Sequence, residues 1–353
     1  MMDGQPHDRR DGGQHRHHDN RRNDFRRRRH HGHHGHHGGP SHDGRNRDRG
    51  QHDRGESQPL KRTDAEKAFL EKTPVAPFQW LQFEKGSSEL TMRAVDLLSP
   101  VGKGQRGLIV SPPKVGKTTI LKHLCQALAG GYPDVKVFCL LVDERPEEVT
   151  DFRRSVACEI FASCSDRPYV EHIKTAERVY HRAVEEAATG KDVVIVLDSL
   201  TRLARAHNTA ATGNKTMSGG LDSRAMEIPR RFFGAARKLE EGGSITILAT
   251  ILVDTNSRMD EVIFQEFKGT GNMELVLSRP AADMRVFPAI HVKNSGTRRE
   301  ELLLSPKALE AAWQLRRKLA SMSDLEATKM VVELLKRFPT NEKLLAGVMG
   351  GVC

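Results

Sequence analysis

Four apolar runs set the pattern of this chain: residues 107–110, 135–142, 192–198 and 244–252. Each is short and nearly unbroken, as a strand covered by helices on both faces must be. Between them the apolar positions change to helical spacing. From Gly116 onward, Ile120, Leu121, Leu124 and Leu128 fall on one helix face. Pro146 opens another helix, with Glu147 and Glu148 in its first turn, where proline geometry and the helix dipole favour them. Further helices are predicted over 65–71, over 169–188, from Ser199 to the Gly-, Ser- and Thr-rich loop 209–221, and over 222–241. Residues 274–277 and 285–292 read as additional strands, and from Ser305 the chain reads as helix to its end. Alternating strands and helices predict an α/β sandwich on a mostly parallel sheet, with a helical cap at about 305–350.

The pattern fails at the N-terminus. Residues 1–58 are mostly Arg, His, Gly, Asp, Asn and Gln, with Phe25 almost alone as an apolar residue. Such a segment cannot bury enough surface to offset its chain entropy, so it is predicted to be disordered. The histidines of 30–37 form either a metal-binding tract or an adventitious one. The arginines of 26–29 suit either an RNA-contacting arm or a solubilising tail. Residues 59–94 read as a linker with an apolar patch at Trp80 and Leu81, and 95–353 as the ordered domain.

The net charge of +10 favours an anionic partner. No apolar run has membrane-spanning length and no leader-like segment opens the chain, so no membrane partner is expected. Cys125, Cys139, Cys158, Cys164 and Cys353 follow no metal-site or disulfide spacing, which suits buried free thiols in a reducing cytoplasm.

Between the strand at 107–110 and the helix from Gly116 lies Ser-Pro-Pro-Lys-Val-Gly-Lys-Thr, residues 111–118. It has the length and the setting of a phosphate-binding loop. Small residues let backbone N–H groups curl around phosphate, Lys117 supplies a cation for the β/γ oxygens, and Thr118 offers a hydroxyl to Mg²⁺. Ser111 stands where glycine is usual, which would be unfavourable if the backbone there were left-handed. Asp198 ends an apolar strand, the position from which a carboxylate holds the metal's water shell. Glu144 ends a neighbouring strand and can orient an attacking water. These residues together make a hydrolytic ATP·Mg²⁺ site.

Longer strings then carry a resemblance: Gly-Lys-Gly-Gln-Arg-Gly from Gly102, Val-Asp-Glu-Arg-Pro-Glu-Glu-Val from Val142, Leu-Asp-Ser-Leu-Thr-Arg-Leu-Ala-Arg from Leu197, Arg-Phe-Phe-Gly-Ala-Ala-Arg from Arg231, Phe-Lys-Gly-Thr-Gly-Asn-Met-Glu from Phe267 and Ser-Gly-Thr-Arg from Ser295. They resemble the bacterial transcription termination factor Rho family, over about residues 92–320. The resemblance implies a RecA-like P-loop core in a homohexameric ring that hydrolyses ATP, moves along single-stranded RNA and terminates transcription. Its partners would be RNA, further copies of the chain and the RNA polymerase elongation complex. The alternative within that family is an RNA-binding regulator that no longer couples hydrolysis to movement.

Carried over residue by residue, Gly102, Lys103, Gly104, Gln105, Arg106 and Gly107 would line the nucleotide. So would Lys114, Val115, Gly116, Lys117, Thr118 and Thr119, with Arg145 close by and Phe287 stacked near the adenine. Arg298 and Arg285 would reach across the subunit boundary as arginine fingers. Lys215 and the loop 254–260 would grip RNA in the channel, Arg258 standing where the family more often has lysine. The family's oligonucleotide-binding barrel cannot be read in the residues ahead of this core.

Overall fold

The computed structural model describes residues 62–211 and 218–351. Its elements in chain order are α1 (Asp64–Glu71), β1 (Pro74–Val75), α2 (Leu90–Leu98), β2 (Arg106–Ser111), α3 (Lys117–Gly131), β3 (Lys136–Glu144) and α4 (Pro146–Ser155). Then come β4 (Glu159–Cys164), α5 (Tyr169–Ala188), β5 (Asp192–Asp198), α6 (Leu200–Ala210), α7 (Glu227–Gly234), β6 (Arg237–Leu239), β7 (Ser244–Leu252) and α8 (Arg258–Lys268). The chain continues through β8 (Met273–Val276), α9 (Arg279–Asp283), β9 (Gly296–Thr297), α10 (Pro306–Ala320), α11 (Asp324–Arg337) and α12 (Asn341–Met349).

The sheet order is β4-β3-β5-β7-β2-β8-β9, parallel except for β9. On the amino side β6 pairs antiparallel with β7, and β1 with β6. Apolar residues of β3 and β5 alternate between the two faces. Cys139, Leu141, Val194 and Val196 pack towards α3, α2 and the C-terminal helices. Phe138, Leu140, Val193, Ile195 and Leu197 pack towards α5, α6 and α7. Each such side chain withdrawn from water contributes about 1.5–3 kcal/mol, which fixes register, because a one-residue slip would exchange the faces. All five central strands therefore end on the same edge, with Ser111, Glu144, Asp198, Leu252 and Val276 at their carboxyl ends.

Four departures from the sequence reading stand out. Residues 62–94, read as a linker, carry Phe69, Leu81, Phe83 and Met92 fully buried into the two cores. The strand β4 was not anticipated; its residues are mostly half-buried and it lies at the sheet edge. The helix expected over 222–241 is confined to Glu227–Gly234, because Arg237 and Lys238 pair instead with Ile245 and Ser244 of β7. The strand expected over 285–292 is not formed. Pro288 has no N–H to give a ladder, and only an isolated bridge joins Ile290 to Leu277. The N-terminal tail, Lys215 and Cys353 lie outside the described residues.

Candidate active site

At the carboxyl edge β2 gives way to a loop that turns into α3. Its left-handed residues are Lys114 (φ 62°) and Gly116 (φ 90°), and Gly116 caps the helix. Ser111 is a strand residue in register with Leu252, so the serine in place of glycine meets no left-handed requirement. Lys117, the first residue of α3, directs its ammonium between two strand ends. Nζ donates to Asp198 Oδ1 at 2.6 Å and to Glu144 Oε1 at 3.1 Å. Arg202, in the first turn of α6, pairs with the same Glu144 oxygen at 2.5 Å. Thr250 Oγ1 of β7 donates to Asp198 Oδ1 at 2.8 Å. Glu144 is 3% exposed and Asp198 1%.

Two buried carboxylates and two cations balance one another here, which is what burying charge requires. Burial pushes the Glu144 carboxyl up, but Lys117 and Arg202 outweigh it and hold it below the usual range. Glu148, half-exposed on α4, goes the other way: burial and then the Glu144 charge raise it. The start of α3, with its backbone N–H groups and the positive end of its dipole, lies beside the loop, and its first residue is Lys117, the elements an anion site uses.

The amino edge is built differently. Gly104 N–H donates to Thr246 Oγ1 at 2.8 Å, and Gln105 is buried with its amide on Asn272. Lys103 pairs with Asp192 at 2.5 Å. The Arg106 guanidinium donates to the carbonyls of Thr270 and Ala236, at 3.0 and 3.1 Å. Burial, and then the neighbouring Arg237 and Arg298, depress the Arg106 guanidinium from its usual range. Arg298 follows β9, its N–H donating to Asn272 O at 2.9 Å. No carboxylate pairs with Arg106, Arg237 or Arg298 among the described residues.

The nucleotide-binding domain of the ATP synthase alpha/beta family matches residues 91–297. The transcription termination factor Rho of Haemophilus influenzae is 52% identical over 279 residues, covering 78% of this chain and 66% of that protein. That of Streptomyces coelicolor is 53% identical over 281 residues, covering 79% and 68%. The chain belongs to the transcription termination factor Rho family. It spans about two thirds of the length of these relatives. An ATPase of a bacterial type III secretion system shares the fold, with TM-score 0.66 at 24% identity over 79% of this chain and 87% of that one.

Against that Rho-family frame, the expected site residues separate into groups. Lys117, Asp198 and Glu144 meet directly. Lys114, Val115, Gly116, Thr118 and Thr119 make the loop and the first turn of α3. Arg145 caps α4 beside Glu144 and is exposed. Phe287 is 45% exposed and its ring edge faces the Cα of Gly116, while Arg279 donates to Pro113 O at 2.9 Å. Gly102 to Gly107, expected on the nucleotide, instead lie at the amino end of β2. At about 3.3 Å per residue, that strand holds them roughly 16 Å from the phosphate loop of the same chain. Arg285 and Arg298, expected to act together, stand at opposite edges. Arg285 is exposed two residues from Phe287, whereas Arg298 is next to Arg106.

Arg258 is the exposed first residue of α8. The loop before it takes left-handed turns at Asp254 and Asn256, residue types that tolerate them. Asp260, 1% exposed, locks that loop by accepting from Arg205 Nε at 2.8 Å and Thr255 Oγ1 at 2.6 Å. Gly219 lies against the Arg258 carbonyl, so the turn 218–220 packs on the start of α8. Residues not singled out from sequence were Arg202, Thr250 and Arg205. Their one signal was position: the first turns after Asp198, and a hydroxyl residue near the carboxyl end of a mostly apolar strand.

Proposed function

We propose that this chain is the ATP-hydrolysing motor of a ring-shaped termination factor that acts on single-stranded RNA. The observation that carries the reading is the Lys117 ammonium held between Glu144 and Asp198 at the start of α3. We read its setting as release of a nascent transcript from an RNA polymerase complex in the cytoplasm, a reading that the relatives' name, transcription termination factor, supports. The free thiols of Cys125, Cys139, Cys158 and Cys164 suit that compartment, and no helix among the described residues is long and apolar enough to cross a membrane.

ATP would place its β- and γ-phosphates over the loop Lys114–Thr119, against the N-terminus of α3. Lys117 would leave the carboxylates for the phosphate oxygens. The donor set fits Mg²⁺: a hydroxyl, Thr118, and a buried carboxylate, Asp198, are hard oxygen ligands. No larger cluster of metal-ligating residues stands among the described residues, as suits an ion that keeps waters and phosphate oxygens. When bound, Mg²⁺ would neutralise charge building on the transferred phosphoryl group. Glu144 would accept a hydrogen bond from the attacking water and orient it. Once Lys117 has moved to phosphate, burial is opposed by Arg202 alone, so the Glu144 carboxyl becomes a better proton acceptor. Phe287 would stack beside the base. Arg298 would act on the nucleotide of the next subunit, since its own phosphate loop is at the other end of β2. Arg258, and Lys215 outside the described residues, would contact RNA.

Hydrolysis by the full chain should be measured with poly(C), poly(U), single-stranded DNA and no nucleic acid. Strong stimulation by RNA and little by DNA is expected. Hydrolysis that is absent, or indifferent to the nucleic acid added, would reject the reading.

A further inference from the structure

The pairing of β3 with β4 slips by one residue at its carboxyl end. Val142 pairs with Ser163 and Glu144 with Cys164, so Asp143 is an extra residue in β3. Asp143 takes the left-handed conformation (φ 56°), uncommon for a residue with a Cβ. The slip changes which way Glu144 faces. Phe138, Leu140 and Val142 pack on the α5 side of the sheet, while Cys139 and Leu141 pack on the α3 side. Uninterrupted alternation would put Glu144 with Val142, away from α3. One inserted residue reverses that parity and lets Glu144 meet Lys117.

Something has to hold the bulge, and one side chain is hydrogen-bonded on one of its sides and stands close to the other. His172 of α5 is 6% exposed. Its Nδ1 is 2.7 Å from Ser163 Oγ, opposite the last regular pair, and its Nε2 is 3.9 Å from Asp143 Oδ1 on the bulged residue. With Nε2 protonated, Nδ1 accepts from the Ser163 hydroxyl, and the far side of the ring stands beside the Asp143 carboxylate, beyond hydrogen-bond reach. Burial, more than any neighbour, keeps the ring in its neutral form. Ser165 N–H donates to Glu144 O at 2.9 Å, closing the same turn from the β4 side.

We infer that His172 is a positioning residue: held by the Ser163 hydroxyl and packed beside Asp143, it supports the bulge that turns Glu144 towards Lys117 and the attacking water. The inference rests on the proposed hydrolytic role of Glu144. His172 itself touches neither the phosphate loop nor Asp198.

His172→Ala, His172→Asn and Ser163→Ala would be compared with the full-length wild type in three measurements. These are affinity for a fluorescent ATP analogue, RNA-stimulated kcat, and amide hydrogen exchange at Ser165. His172→Ala should bind nucleotide within about twofold while kcat falls about 10- to 100-fold, the effect of a small misplacement of a catalytic group. Exchange at Ser165 should quicken about tenfold, as local opening becomes easier. His172→Asn keeps an acceptor near the Nδ1 position and should recover part of kcat, and Ser163→Ala should fall between. Unchanged kcat and unchanged exchange would overturn the inference. So would equal loss of affinity and turnover with no recovery by asparagine, since that is the signature of general destabilisation. If the wild type itself hydrolyses nothing, the proposed function fails and the exchange arm decides alone: faster exchange supports the tether, unchanged exchange rejects it.

Discussion

At the carboxyl edge of the sheet, Lys117 and Arg202 are matched by Glu144 and Asp198; at the amino edge, Arg106 and Arg237 face carbonyls and a phenyl ring, with Arg298 beside Arg106. The first edge is complete in charge within one chain. The second presents guanidinium groups with no acidic partner among the described residues, which suits an anion brought from outside the chain. The two edges are the ends of β2, roughly 16 Å apart at strand spacing. One chain therefore cannot aim Lys117 and Arg298 at the same phosphate. A head-to-tail ring can, because each interface joins the carboxyl edge of one copy to a different surface of the next. On the proposed reading, hydrolysis belongs to the interface.

The comparison breaks most sharply at Lys117. Lys117→Ala should lower kcat at least about 10³-fold, since the β/γ charge loses its nearest cation. Glu144→Gln should leave nucleotide affinity nearly intact while slowing turnover about 10²- to 10³-fold. Equal turnover in Glu144→Gln, read by phosphate release, would show that another group orients the water. Arg298→Ala tests the other edge. It should cost about 10³-fold in kcat with the protein's own phosphate loop still binding nucleotide, measured by analogue titration.

Smaller effects sharpen the picture. Arg205→Ala leaves the Asp260 carboxylate buried with Thr255 alone, and should destabilise the chain by about 1–3 kcal/mol in urea unfolding. It should also weaken RNA stimulation, because the loop carrying Arg258 loosens. Acid should weaken the carboxyl edge through Glu144. The folded Glu144 carboxyl lies below its unfolded value, so its contribution is present above the ordinary glutamate range and is lost as pH falls through the folded value. The urea midpoint should therefore drop from about pH 4.3 downward in the wild type, and less steeply in Glu144→Gln. An identical slope in both would mean that Glu144 is not held ionised by Lys117 and Arg202.

Much of this was legible in the sequence where burial was two-sided. The strands β2, β3, β5 and β7 are near-continuous apolar runs, and their terminal Glu144 and Asp198 stand out because charge rarely ends such a run without a use. Helix starts were legible through Pro146 and the capping serines Ser199 and Ser305. What was not legible depends on pairing across the fold. Residues 235–241 carry helix-forming types, but β7 captures Arg237 to Leu239 as an antiparallel strand. The bulge at Asp143 leaves no periodic trace, so neither His172 nor Ser163 had any signal. Resemblance placed residues 102–107 on the nucleotide and Arg285 with Arg298 across the subunit boundary; the topology puts residues 102–107 and Arg298 at one edge and Arg285 at the other.

The most direct test of an interface-built site mixes two inactive proteins. Lys117→Ala chains, with an intact Arg298, are assembled at equal ratio with Arg298→Ala chains, with an intact phosphate loop. Random assembly makes roughly one interface in four complete, one half times one half. Single-turnover hydrolysis, in rings shown by native mass measurement to be mixed, should return a burst of about a quarter of the wild-type amplitude. Mixed rings without any burst would contradict the account and place the catalytic arginine elsewhere.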